Sequence, residues 1–304
     1  MTKIPPYLKS GDTIGIVAPA GYMPIEKLQA CIDTLQNWGY TVKLGETAHS
    51  QSENYFSGTD EERAADLQYM MDDPEVKAIL CARGGYGTSR IIDRLNFKRF
   101  RRNPKWLIGF SDITVLHSHL LQRYDIASLH APMGAAFNEG IYDNTYIDSF
   151  KNAIEGNVSQ YQSNVHPFNR TGTTKGELVG GNLSLLTHLV GTPSDIRTKN
   201  KILFLEDIGE QLYNIDRMFV QLKRSGKLDR LRGLVIGGFT DCKDTERPFG
   251  KTVHEIIRDQ VAEYNYPVCY NFPVSHAKEN YALKVGVVHS LTISLETVVL
   301  KECR

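Results

Sequence analysis

Across the first half of this 304-residue chain, short apolar runs alternate with amphipathic stretches, and that alternation constrains the fold more than any other feature. The runs Thr13–Ala18, Tyr40–Leu44, Val76–Ala82, Lys105–Gly109 and one near Ile126–Leu129 read as strands. Helical patterns fill the intervals at Pro24–Trp38, Asp60–Met71, Tyr86–Leu95 and Asp112–Arg123, each long enough to cross over between parallel neighbours. Ser57-Gly58-Thr59-Asp60-Glu61-Glu62 adds N-cap residue types followed by acidic first-turn residues, a helix start. The expected class is α/β, with an N-terminal open, mainly parallel sheet.

From about Glu155 to Thr174 the pattern loses its period and fills with Asn, Ser, Gln and Thr, as in a connection between domains. The expected domains are therefore residues 1–165 and 166–304. In the second, strands are expected at Ile202–Leu205 and Leu234–Gly238, with helices at Glu210–Arg224 and Val253–Tyr264. Closely spaced β-like runs follow near Leu283–Val288, Leu291–Ser294 and Val298–Leu300, which indicates a smaller, β-rich α+β domain.

Composition narrows the function. Lys plus Arg and Asp plus Glu both total 35, so no global field attracts nucleic acid or an anionic membrane. The basic run Lys98–Arg102 reads as a solvated face. The N-terminus lacks the apolar core of a secretory signal, and no run approaches the roughly 20 apolar residues of a membrane span. A cytoplasmic protein is expected. The five cysteines are scattered and never form a C-x-x-C pair, which suits a reducing compartment without a zinc site.

Four segments could carry chemistry. In Gly109-Phe110-Ser111-Asp112-Ile113 a serine sits between a strand and a helix, where a nucleophile is exposed to helix-opening amides. Ile113 stands where an α/β-hydrolase elbow has its second glycine, and a capping role for Ser111 is the alternative. Ala82-Arg83-Gly84-Gly85-Tyr86-Gly87 follows a buried strand, so its amides can face an anion; Arg90 occupies the third-glycine position of a dinucleotide fingerprint and argues against one. Gly180-Gly181-Asn182 offers a close backbone approach and a helix cap. Glu206 is the first polar residue after the buried run Ile202–Leu205, at the strand end where open α/β sheets build sites. Asp207 and Glu210 are its rivals as the acid, and the alternative for both is that they cap the following helix.

A serine nucleophile needs a base, and the chain has nine histidines. His117 and His119, two apart on a helix, face opposite ways. His276 lies in the loop Phe272–Asn280 after a β-like run, where rigid scaffolds present functional side chains.

Taken in order, these segments, with Leu8–Pro19, Ser57–Leu67 and Pro273–Asn280, resemble the serine LD-carboxypeptidase family, the muramoyltetrapeptide carboxypeptidases and their microcin-immunity relatives. The resemblance implies a triad of Ser111 as nucleophile, His276 as general base and Glu206 as its orienting carboxylate, with the amides of Gly85 and Asp112 as oxyanion donors. It places Gly84, Tyr86, Gly180, Gly181 and Asn182 at the substrate. It further implies an amidotransferase-like first domain, triad residues drawn from both domains and a homodimer. The implied reaction hydrolyses an L,D peptide bond, releasing D-alanine from murein tetrapeptides without metal or cofactor. A microcin-immunity-like hydrolase of peptidyl or aminoacyl nucleotides, or a non-catalytic small-ligand binder, are the alternatives. Ser275 and Lys284 depart from the glycine and proline the family pattern has there. No motif singles out an arginine for the substrate carboxylate; Arg83 and Arg217 are candidates.

Overall fold

Strands β1 (Thr13–Val17), β2 (Thr41–Leu44), β3 (Val76–Cys81), β4 (Trp106–Gly109) and β5 (Ser128–His130) form where the apolar runs lie. The computed structural model describes residues 2–138 and 145–303 and divides into two units, 1–157 with 281–284, and 158–280 with 285–304. In the first unit the sheet order is β2-β1-β3-β4-β5, every one of these pairs parallel, with a late strand, Leu283–Val285, beyond β5. All four residues of β4 are buried, the mark of a strand covered on both faces.

Helices α1 (Gln29–Asn37), α2 (Asp60–Asp72), α3 (Thr88–Ile91), α4 (Lys98–Arg102), α5 (Thr114–Tyr124) and α6 (Thr145–Ile154) accompany this sheet. The expected start of α2 is a capping box: the Glu62 N–H donates to Thr59 Oγ1 at 3.2 Å and the Thr59 N–H to Glu62 Oε2 at 2.7 Å. The helix expected over Tyr86–Leu95 is shorter. Gly87, at φ +146°, breaks it, so α3 opens at Thr88 and gives way to a 3-10 turn at Ile92–Arg94.

The second unit holds β6 (Gln160–Ser163), β7 (Gly172–Asn182), α7 (Leu183–His188), β8 (Ile202–Ile208), α8 (Leu212–Arg224), β9 (Gly233–Thr240), α9 (Val253–Gln260) and β10 (Val268–Cys269). After β11 (Leu283–Val285), the edge strand of the first sheet, β12 (Val288–Ile293) and β13 (Val298–Glu302) complete it. The order is β10-β9-β8-β7-β12-β13-β6, parallel from β10 to β7 and antiparallel from β7 to β6. β7 joins the two halves: residues 178–182 pair with β8 and residues 172–177 with β12. The aperiodic stretch after Glu155 contains β6, whose polar residues flank one buried ring, Tyr161, as on an edge strand.

Candidate functional site

β4 delivers the chain to Ser111 through buried Gly109 and an extended Phe110. Ser111 takes φ +61°, a left-handed conformation uncommon for a residue with a Cβ and concentrated at functional sites. The chain then turns through 3-10 residues Ser111–Ile113 into α5. Among the described residues neither this turn nor α5 has a side-chain cap, so the capping alternative does not account for Ser111.

The glycine-rich loop lies against this turn. A Cβ added to Gly84 would sit 2.9 Å from Ser111 Cβ, 3.2 Å from its Oγ and 3.3 Å from the Asp112 nitrogen, so only glycine fits without moving the serine. Gly85, at φ +98°, and Tyr86 are exposed at the outer edge of the loop. Asp112 contributes more than an amide: its buried carboxylate accepts the Thr88 N–H at 2.8 Å and ties the Ser111 turn to the start of α3. Burial pushes the Asp112 carboxyl up, while its hydrogen bonds to Thr88 and the Arg63 charge pull the other way.

Arg63 is a structural residue that sequence reasoning passed over. Fully buried, it donates to the carbonyls of Pro19 at 2.6 Å, Gly87 at 3.2 Å and Gly58 at 3.2 Å, and pairs with Asp60. One guanidinium thus holds three loops, a use suited to its rigid fork of donors. Its signal was an arginine one turn into a capped helix, which looks like surface until the tertiary fold buries it.

His117 and His119 do point to different surroundings. The His117 ring is buried and its Nε2 lies 2.8 Å from the Gly109 carbonyl, with burial holding its pKa down to about 4. That ring is neutral near pH 7, so the nitrogen at the carbonyl carries hydrogen and braces the strand end before Ser111. His119 packs on Phe97 and Tyr124.

In the second unit the structure pairs the two residues singled out there. His276 Nδ1 lies 2.6 Å from Glu206 Oε2, with side-chain exposures of 12% and 0%. Burial depresses the imidazole pKa, but the hydrogen bond to Glu206 and the charges of Glu206 and Asp207 outweigh it, and the net shift is upward. Fixing Nδ1 on the carboxylate sets the tautomer and orients Nε2 for proton transfer. The loop before His276 is hung on β9: the Phe272 N–H donates to the Ile236 carbonyl at 3.0 Å and the Gly238 N–H to the Val274 carbonyl at 2.9 Å. A Cβ on Gly237 would come within 2.2 Å of the Val274 oxygen and 3.2 Å of Glu206 Cβ, so glycine there lets the loop approach the strand that carries Glu206. Ser275 closes the loop: its Oγ donates to the Glu279 carbonyl at 2.9 Å and accepts the Ala277 N–H at 3.0 Å.

The expectation that Asp207 and Glu210 cap the following helix is corrected. The N-cap of α8 is Gln211, with no side-chain cap bond, and Glu210 accepts from Asn214 Nδ2 at 3.0 Å instead. Asp207 turns toward α7, accepting the Ser184 N–H at 2.9 Å, Asn182 Nδ2 at 2.8 Å and its neighbour's Ile208 N–H at 2.8 Å. Burial and the Glu206 charge push it up to about 6 against those three donors. Asn182 caps α7 as expected, accepting the Leu185 N–H at 3.1 Å. Gly180 has a packing reason: a Cβ there would fall 1.9 Å from the Phe204 oxygen of the paired strand. Gly181 is buried beside it, paired with Leu205.

Arg83 donates to the Tyr22 carbonyl at 2.6 Å, and Arg217 donates to Asn214 at 2.5 Å, each serving a contact within its own unit. Among the described residues no group of three or more His, Cys, Asp or Glu is arranged to hold a metal ion, and no helix is long and apolar enough to cross a membrane.

Comparison with known proteins bears on this arrangement. Residues 14–131 match the LD-carboxypeptidase N-terminal domain and residues 175–291 the LD-carboxypeptidase C-terminal domain. A "Probable murein peptide carboxypeptidase" of Bacillus subtilis is 36% identical over 98% of this chain and 94% of its own length. The murein tetrapeptide carboxypeptidase of Pseudomonas aeruginosa is 29% identical over 90% of this chain and 91% of its own. Among solved structures, the muramoyltetrapeptide carboxypeptidase of Oxalobacter formigenes superposes with a TM-score of 0.87 at 30% identity, covering 96% of this chain and 99% of that one. The microcin immunity protein MccF, solved with glutamyl sulfamoyl guanosine, shares the fold at a TM-score of 0.87 and 21% identity, covering 98% of each chain. With both domains matched and full-length relatives above 30% identity, the chain belongs to the LD-carboxypeptidase family.

Proposed function

We propose that this protein is a serine LD-carboxypeptidase that removes the terminal D-alanine from murein tetrapeptides, with Ser111 as nucleophile, His276 as general base and Glu206 as the carboxylate that orients it. The observation that carries the reading is Ser111 itself: a left-handed serine at a strand-to-helix turn, with the backbone of Gly84 packed against it. The Glu206–His276 pair and the names of the full-length relatives support it.

In the proposed cycle His276 Nε2 takes the Ser111 proton as Oγ attacks the carbonyl of the L,D bond. The amides of Gly85 and Asp112 receive the developing oxyanion, each such donor being worth about a hundredfold or more in rate. The imidazolium, stabilised by Glu206, then protonates the departing D-alanine amine. A water activated by the same imidazole releases the acyl group and restores Ser111. Tyr86, Gly84, Gly180, Gly181 and Asn182 belong to the substrate side of this reading, by backbone approach or contact. We place the protein in cytoplasmic cell-wall recycling, as a homodimer.

The test is D-alanine release from a disaccharide-tetrapeptide, followed by mass spectrometry alongside tri- and pentapeptide muropeptides. Ser111→Ala is expected to cut kcat by about 10^4 or more while leaving the thermal melt in place. Full activity in that variant would sink the reading. So would turnover of a peptidyl nucleotide with none of the tetrapeptide.

A further inference from the structure

We propose that Tyr55 and Tyr86 form a glycan subsite on the first unit, where the sugar of a muropeptide packs on exposed rings while its stem peptide runs to Ser111. The inference rests on the reading of the chain as a muropeptide carboxypeptidase and adds the part of the substrate those residues take.

Single exposed aromatics need no explanation. These are not single. Tyr55 is 59% exposed and Tyr86 46%, and between them lies Phe56, whose ring centroid is 5.1 Å from Tyr55, edge-on, and 6.0 Å from Tyr86. Phe56 is backed by the Arg63 guanidinium at 4.6 Å from its ring and the Arg90 guanidinium at 5.7 Å. The backbone beneath is clamped as well. The Tyr22 N–H donates to the Tyr55 carbonyl at 2.9 Å, the Ser57 N–H to the Ala20 carbonyl at 3.2 Å and Ser57 Oγ to the Gly21 carbonyl at 3.0 Å. The rings are thus held ready, and a ligand packing on them has little ordering left to impose.

Their position suits a sugar at the far end of a stem peptide. The Tyr55 hydroxyl would lie 3.1 Å from a Cβ on Gly85, and the neighbouring Gly84 abuts Ser111. One backbone step and two van der Waals contacts make a run on the order of 10 Å. After loss of the fourth residue, three stem residues separate the scissile carbonyl from the sugar, about 10 Å when extended. A pyranose presents C–H groups on its faces and hydroxyls at its rim. A tyrosine matches both, with an apolar body and a polar tip.

The test is calorimetric binding of the disaccharide-tripeptide and of the free tripeptide, so that the readout does not depend on turnover. The wild type is expected to bind the disaccharide form about fivefold tighter, the worth of an aromatic contact. Tyr55→Ala should bring that ratio to near one, and Tyr55→Phe should retain most of it. Tyr86→Ala, which leaves the Phe56 clamp in place, should also lower it. Equal affinities in the wild type, or a ratio unchanged in both alanine variants, would overturn the subsite. So would a pattern in which adenosine monophosphate, and not the disaccharide, is the ligand whose binding Tyr55→Ala abolishes. Tetrapeptide hydrolysis by the same wild-type sample separates the two failures: no D-alanine release defeats the carboxypeptidase reading, whereas release without a glycan ratio defeats only the subsite.

Discussion

At the scale of single residues, charge placement around His276 dictates a pH response. Glu206 raises the imidazole pKa above its ordinary value of 6.5 despite burial, and the general-base role proposed for His276 requires the neutral ring. The acid limb of kcat/KM is therefore expected to centre above pH 6.5. Glu206→Gln leaves burial to dominate, so the limb should move to lower pH while kcat falls by about 10^3 or more. A limb that stays in place would remove Glu206 from the role. The same raised pKa contributes folding stability that is fully present below pH 6.5 and is lost as pH rises through the folded value. Thermal melts of Glu206→Gln should lose that component of the pH dependence. Gly84→Ala addresses the proposed nucleophile: with 2.9 Å between the new methyl and Ser111 Cβ, the serine must shift. About a hundredfold loss of kcat/KM is expected.

At the scale of elements, the site depends on the tie between the Ser111 turn and its neighbouring loops. Arg63 on α2 holds the carbonyls of Pro19, Gly58 and Gly87, and Asp112 holds the Thr88 amide that follows the last of these. Arg63→Met leaves the buried carbonyls of Pro19 and Gly87, the part-buried carbonyl of Gly58 and Asp60 without that partner, a cost of about 3 kcal/mol. At roughly 2–4 °C per kcal/mol for a protein of this class, the melting temperature should fall by about 10 °C, measured by calorimetry. Much at this scale was legible in the sequence. The capping box of α2, the strand before Ser111 and the cap at Asn182 all depend on neighbours within a few residues. The length of α3 was not, because Gly87 takes a left-handed conformation that only the packing around it demands. Nor was the direction of Asp207, which could serve α7 or α8 and is drawn to α7 by Asn182 across the β7–β8 pair.

At the scale of the whole molecule, the chain leaves the first unit at residue 157 and returns to it for residues 281–284, where Leu283 and Lys284 belong to the strand beyond β5. Lys284 is buried there with Nζ donating to the Asn157 carbonyl at 3.2 Å and lying over the Tyr7 ring. A fragment ending at residue 157 lacks that strand and bares the β5 edge, so it is expected to aggregate where the full chain elutes as a discrete species on gel filtration. A monodisperse, cooperatively melting fragment would contradict this. By itself the sequence determined the α/β class, a serine at the turn after β4 and a carboxylate at the end of β8, because these follow from periodicity and from residue types a few positions apart. Only the tertiary structure decided the contact that seats His276 on Glu206, which acid caps which helix and where Arg63 is buried. Those outcomes depend on groups such as Glu206 and His276, 70 residues apart, reaching hydrogen-bond distance. No local pattern encodes such a meeting, since it exists only once strands and loops have packed.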